Sequence, residues 1–471
     1  MLSLLAIFFL QFVDKAGSNT VSLSPTAIEM RQERRIEIDS LDYAVSPIYL
    51  DSIKKLGAQV LHTSRWMNGA TIEASNEVTN AIATCEFIDT LFVTKVKDYP
   101  LNTPSVSLQK RENEAVKITT SEDAKKQLEQ INLLPLHQAG FKGKGIRIGI
   151  ADGGFYHADS LDWLPKEQWL GYADLTDDED DIFSSSGNHG SLCLSTILAQ
   201  TSEFEGAATE AEYYLFKTEE HTTESIKEID NWVAAIEKAD SLGLHIVSTS
   251  LGYATFDYAE MNYTYADMDG VTSRAAQAAT IAARKGMLLV VAMGNEGNNT
   301  WHFLSTPADA DSILSVGAVD REGHIASFSS YGPSADGRTK PEVCALGQQT
   351  SLVDVNSGEV FTSNGTSFAC PLIAGMAACL WSALPEASNM EIREMIIRSA
   401  DRYNHPHEQY GYGIPNAWEA YTAATTSVES TTRPYTYRKI IDYNGQMYIL
   451  YNGEKYNLLG NKIECEEIYK K

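Results

Sequence analysis

Apolar and polar positions follow two different rhythms along the chain. Between residues 34 and about 98, "PIYLDSIKKLGA" and "NEVTNAIATCEF" have helical spacing, while "QVLHTSRWMNGATIEAS" and "TLFVTKVKD" read as strands. These segments predict a small α+β unit. From about residue 122, short continuous apolar runs ("IRIGIA", "YYLF", "LHIVSTS", "MLLVVA") alternate with helical segments such as "ESIKEIDNWVAAIEKAD" and "SRAAQAATIAARKG". That alternation predicts βαβ units and a parallel sheet covered on both faces. Ligands of such sheets bind beyond the carboxyl ends of the strands, so chemistry is expected just after each strand run. Residues 99–121 are polar and aperiodic, as a linker is. Residues 425–471 read as a second linker and a short β tail, whose Asn444-Gly445 and Asn452-Gly453 pairs suit type I′ hairpin turns.

The opening run from Leu2 to Val13 is apolar but too short to span a bilayer, and Ala16, Gly17 and Ser18 follow it. This pattern predicts a cleaved secretory leader over residues 1–18, with the mature protein exported to the cell exterior or envelope. No later segment reads as a membrane helix. With 471 residues, 43% of them hydrophobic and 21% charged, the chain is globular and long enough for more than one domain. A formal charge of −26 excludes a nucleic-acid partner, which needs a basic footprint. The six cysteines have neither zinc-site nor disulfide-scaffold spacing and are expected to be buried small side chains.

Four positions carry candidate chemistry. Asp152 ends "IRIGIAD" before two glycines, where a carboxylate either opens a turn or orients an imidazole. His189 starts the apolar helix "HGSLCLSTILAQ" and is a candidate general base. Ser367, in "SNGTSFACP", opens the chain's most small-residue-rich helix, either as an N-cap or as a nucleophile whose own amide binds an oxyanion. Pro371 is expected in the first turn of that helix, where a missing N–H costs little. Asn295 follows the strand "LLVVAMG" as a candidate oxyanion donor or a plain turn residue. The chain order Asp, His, Ser differs from that of α/β-hydrolases, and "GTSFA" lacks the last glycine of the GxSxG elbow, which weakens an esterase reading.

With these pieces, the chain resembles a subtilisin-like serine peptidase from about Gly143 to Ala424, through "GKGIRIGIADGGF", "NHGSLCLSTI", "STSLGY", "VVAMGNEG" and "NGTSFACPLIAGMAA". The resemblance implies an α/β, doubly wound, mostly parallel sheet over residues 122–424. It implies Asp152, His189 and Ser367 as a triad, Asn295 in the oxyanion hole, and Ser250, Leu251, Gly252, Ala292, Met293 and Gly294 along the substrate cleft. Residues 19–98 are similar to the family's propeptide, which implies a ferredoxin-like prodomain that acts as an intramolecular inhibitor of a self-processing zymogen. The expected partners are protein or peptide substrates, and the expected state is a monomer. Two positions depart from the family pattern. Gly153 follows the aspartate where a hydroxyl residue is usual, and Met293 replaces a smaller residue and is expected to narrow the pocket. The alternative is a catalytically silent subtilase-fold binding module. No cofactor is required for catalysis. Structural calcium is possible at "DLTDDEDD" (174–181), although a solvated acidic loop fits its spacing better. The β tail resembles short sorting tails of the type IX secretion system.

Overall fold

A computed structural model of the chain describes residues 5–96, 116–117, 121–176, 181–184 and 187–430, and the tail strands within 437–456. It divides into a large unit up to Tyr421 and a small one from Thr422 onward.

The chain opens with strand β1 (Leu5–Phe12), followed by helices α1 (Pro25–Glu33) and α2 (Pro47–Lys55), strands β2 (Gln59–Ser64) and β3 (Gly69–Ser75), helix α3 (Asn76–Ile82) and strand β4 (Ile88–Val96). The four strands form an antiparallel sheet in the order β2-β3-β1-β4, the ferredoxin-like arrangement. The run expected as a cleaved leader is therefore an inner strand of this sheet, and that expectation is corrected. β1 bonds to β3 on one side and β4 on the other. Its period-2 alternation sends Ala6, Phe8, Leu10 and Phe12 into a cluster with Ile53, Ile72 and Ile82. Phe9 joins a different cluster, with Trp66, Met67, Trp232 and Ile236. A leader and an inner strand both require a short apolar run; only the pairing partners tell them apart.

After the two-residue β5 (Val116–Lys117) come α4 (Ser121–Gln130) and α5 (Leu134–Gln138). The core sheet then builds from β6 (Arg147–Asp152), β7 (Trp169–Asp174), β8 (Glu212–Lys217), β9 (Ile246–Thr249), β10 (Leu288–Ala292), β11 (Leu314–Val319) and β12 (Val343–Leu346). Their order is β12-β11-β10-β9-β6-β8-β7, and every pairing is parallel, as the continuous apolar runs predict. The connecting helices are α6 (His189–Leu198), α7 (Ile226–Leu242) and α8 (Arg274–Arg284). Strands β13 (Thr350–Val353) and β14 (Val360–Ser363) pair antiparallel, and β5 adds to β14. Chain order reverses at β6, whose neighbours are β8 and β9; this switch point opens a crevice beyond the strand ends.

Helix α9 (Thr366–Ala383) runs buried through the parallel-sheet domain. Ala369, Ala374, Ala377 and Ala378 have no exposed surface. A Cβ on Gly375 would lie 2.4 Å from that of Ala207, so only glycine permits the approach. Among the described residues α9 is the one helix with the length and apolarity of a membrane span, and it is a core helix. Helices α10 (Asn389–Arg398) and α11 (Ala417–Ser430) follow. In the small unit, β15 (Tyr437–Ile441), β16 (Met447–Tyr451) and β17 (Glu454–Tyr456) form an antiparallel meander. Its Asn-Gly turns lie outside the described residues.

The N-terminal sheet domain is tied to the parallel-sheet domain by buried charge. Arg31 on α1 reaches Asp240 on α7 at 2.7 Å and Asp42 at 3.1 Å. Arg65 reaches the same Asp240 at 2.6 Å, and Lys285 reaches Asp42 at 2.6 Å and Asp39 at 2.8 Å. Ser64 Oγ and the amides of Arg65 and Trp66 all donate to Glu237. Asp240→Ala would leave two buried guanidinium groups without their shared carboxylate, a loss of about 3–5 kcal/mol. Denaturant melts of the full-length chain are expected to show a loss of that size, with Glu394→Ala, in an exposed pair with Arg398, changing stability by under about 1 kcal/mol.

Candidate active site

Asp152 ends β6 with no exposed surface. Its Oδ1 accepts the Gly153 amide at 2.8 Å and meets His189 Nδ1 at 2.7 Å. Its Oδ2 is buried and accepts no hydrogen bond from the described residues, in keeping with glycine at 153. His189 is the first residue of α6, all ten residues of which are buried. The helix can start this close to β6 because Gly190 has no side chain. A Cβ there would lie 2.4 Å from the Gly154 carbonyl and 3.0 Å from Asp152 Cβ.

Burial alone would push the His189 pKa down. The Asp152 carboxylate, Cys193 and the hydrogen bonds override it and hold the imidazole well above its ordinary value. With Nδ1 facing Asp152, Nε2 is the nitrogen left to exchange a proton with a neighbour. Cys193, one helical turn on, places Sγ 3.8 Å from Nδ1 and 3.9 Å from Nε2, and 3.4 Å from the Ser367 carbonyl. Burial raises the pKa of this thiol, so it packs as a neutral group between His189 and α9.

Ser367 is the second residue of α9, and Gly365 stands at the N-cap position. The N-cap reading of Ser367 is thereby excluded. Its Oγ makes a long hydrogen bond, 3.4 Å, to the Ser250 carbonyl. Around its backbone, the Thr366 amide donates to Asn295 Oδ1 at 2.9 Å and the Phe368 amide to Gly365 O at 3.1 Å. The Ser367 amide between them is a first-turn donor at the positive end of the helix dipole.

Pro371 lies in the second turn, not the first as the sequence suggests, because α9 begins at Thr366. Its missing N–H deprives the carbonyl four residues back, that of Ser367, of its helical donor. Ser250 Oγ supplies a bond to that carbonyl at 2.8 Å, with Cys193 Sγ on its other side. The proline therefore ties the start of α9 to the end of β9 and to α6.

Asn295 follows β10. Its Oδ1 accepts both the amide and the hydroxyl of Thr366 at 2.9 Å, which fixes the amide plane and leaves Nδ2 as its free donor. Thr366 escaped sequence reasoning; its position beside Ser367 was the only available signal. The expected cleft residues fall on two neighbouring strand ends: Ser250, Leu251 and Gly252 after β9, and Ala292, Met293 and Gly294 at the end of β10. Met293 is wholly buried in the apolar cluster of Leu251, Tyr253 and Leu304. Gly294, at φ 110°, adopts a conformation that favours glycine, and a Cβ would lie 2.8 Å from Ser330 Oγ.

The five described cysteines are free. In the acidic stretch 174–181, Asp174 Oδ1 accepts from the amide and hydroxyl of Thr176, and its Oδ2 lies 3.6 Å from Lys217 Nζ. Residues 177–180 lie outside the described residues, and most of the calcium expectation falls on them. Most of the expected linker, residues 99–115 and 118–120, also lies outside them.

A doubly wound parallel sheet bearing Asp, His and Ser in that chain order at one end defines the subtilisin-like class of hydrolase. The chain belongs to the subtilase family: the model of that family matches residues 143–413, and that of the Bacteroidota peptidase S8 propeptide domain matches residues 8–117. The second match begins inside β1, in agreement with its place in the prodomain sheet. The chain is similar to the serine protease AprX of Bacillus subtilis (27% identical over 305 residues, 58% of this chain and 66% of the relative). It is also similar to the thermostable alkaline protease of Halalkalibacterium halodurans (30% over 297 residues, 62% and 71%) and to subtilisin BL of Lederbergia lenta (28% over 284 residues, 60% and 92%). The chain thus spans just under two thirds of the length of AprX.

Proposed function

We propose that the protein is a serine endopeptidase made as a self-processing zymogen, with Asp152, His189 and Ser367 as its triad. The observation that carries this reading is the 2.7 Å contact between Asp152 and His189 Nδ1, packed through Cys193 against the carbonyl of Ser367. His189 Nε2 takes the proton of Ser367 Oγ as that oxygen attacks a peptide carbonyl. The negative oxygen formed is held by the Ser367 amide and Asn295 Nδ2. His189 then protonates the leaving amine, and water releases the acyl group. Extended substrate would pair by backbone hydrogen bonds with the strips at 250–252 and 292–294. The silent-scaffold reading is the weaker one, because Gly153 leaves the Asp152–His189 contact in place.

The test is to incubate the full-length chain alone and follow it by mass. Release of a prodomain fragment by a cut between residues 97 and 120, with labelling by a fluorophosphonate, is the expected result. A chain that stays intact, unlabelled and inert toward peptides overturns the reading. Asn295→Ala should lower kcat by about 10²–10³ with KM nearly unchanged, since its donor acts on charge formed in the transition state. Export is part of the proposal on family membership alone, and cell fractionation would test it.

A further inference from the structure

The loop after β8 borders the cleft. The Thr218 amide donates to the Asp152 carbonyl at 3.0 Å. Glu219 Oε1 accepts the Tyr253 hydroxyl at 2.7 Å, and Tyr253 directly follows the 250–252 strip. The next residue, Glu220, is shared between two ammonium groups. Its Oε1 meets Lys227 Nζ at 2.6 Å, from a lysine with no exposed surface in the first turn of α7. Its Oε2 accepts Thr223 Oγ1 at 2.8 Å and is ion-paired to Lys95, whose Nζ lies 3.2 Å from Thr223 Oγ1.

Lys95 comes from the prodomain, one residue before the end of β4. It lies on the N-terminal side of the linker in which self-cleavage is proposed. A substrate following the same border would present residues upstream of its scissile bond. The Glu220 side chain is 4% exposed while Lys95 and the prodomain cover it. Burial raises the pKa of Glu220, but Lys227 and Lys95 outweigh it and bring it down to about 2 in the intact chain, and Lys227, the stronger of the two, stays beside the acid when the prodomain leaves. Lys227 satisfies only one of the two oxygens. Departure of the prodomain frees the other, together with Thr223 Oγ1, for a new donor.

We propose that Glu220 and Thr223 form a subsite for a lysine or arginine side chain of the protein substrate, upstream of the bond cut, which Lys95 fills in the zymogen. This inference rests on the peptidase reading above. A charge-assisted hydrogen bond to this acid selects for the cation by about tenfold.

The test uses the processed protein and a fluorogenic peptide series in which one lysine is walked through the positions upstream of the cut, each against norleucine. The kcat/KM ratio should rise about tenfold at one position and shrink as salt is added. In Glu220→Gln it should fall to within about twofold of unity. Ratios within one preparation cancel any loss of folded enzyme. Thr223→Val, which leaves the Glu220–Lys227 pair intact, should lower the preference severalfold. A flat walk with all peptides cleaved, or a preference unmoved in Glu220→Gln, overturns the subsite alone. Failure to cleave any member overturns the peptidase reading, and the subsite with it.

Discussion

Ser367→Ala is expected to yield a folded, full-length protein that never sheds its prodomain, takes no fluorophosphonate label and has kcat lower by about 10⁶. The fold should survive because little of it depends on that hydroxyl. Its one hydrogen bond among the described residues, to the Ser250 carbonyl, is long at 3.4 Å. The start of α9 is fixed instead by backbone and neighbouring groups: Thr366 to Asn295, and Ser250 Oγ to the Ser367 carbonyl. Thermal melts of Ser367→Ala and of unprocessed wild type should therefore agree within about 1 kcal/mol. Intact mass after long incubation separates the two proteins, since only the wild type should shorten. Self-processing of pure Ser367→Ala at the wild-type rate would remove Ser367 from the nucleophile's role.

The candidate site was legible in the sequence because parallel α/β folds place ligands at strand ends, and each end is marked by a local change of pattern. Asp152 closes an apolar run before two glycines, Asn295 does so after β10, and His189 and Ser367 each open a buried helix. What stayed hidden depends on partners far along the chain. β1 could not be told from a leader because its partners β3 and β4 begin more than fifty residues later. The Arg31–Asp240–Arg65 network joins residues about two hundred positions apart, in segments whose charges read as ordinary solvated faces. Pro371 was placed one turn early because the start of a helix rests on cap geometry that sequence locates to within a residue or two. Cys193 is a different case. Its spacing from His189, four residues on one helix, put the thiol beside the imidazole in plain view, but composition made it one buried cysteine among several.

Asp152→Asn is expected to lower kcat by about 10⁴ and also to shift the pH dependence of what remains. In the wild type, burial disfavours the charged imidazole of His189, and Asp152 together with Cys193 more than compensates, so the pKa is raised. The base must be neutral to accept the Ser367 proton. Wild-type kcat/KM should therefore climb with pH through that raised pKa and level off on the alkaline side of the ordinary histidine range. The asparagine variant keeps the burial and loses the carboxylate's attraction, so its limb should move to lower pH than that of the wild type. The rate gap between the two proteins should then narrow as pH falls, because the wild type is losing its neutral base while the variant still holds one. Geometry should change little, since an asparagine oxygen can still accept the Gly153 amide or face Nδ1, but not with the negative charge that stabilises an imidazolium. Profiles of kcat/KM against pH for both proteins, on one peptide, provide the check. A limb that stays in place in Asp152→Asn would mean that the carboxylate does not control the protonation of His189, and the triad assignment would fall.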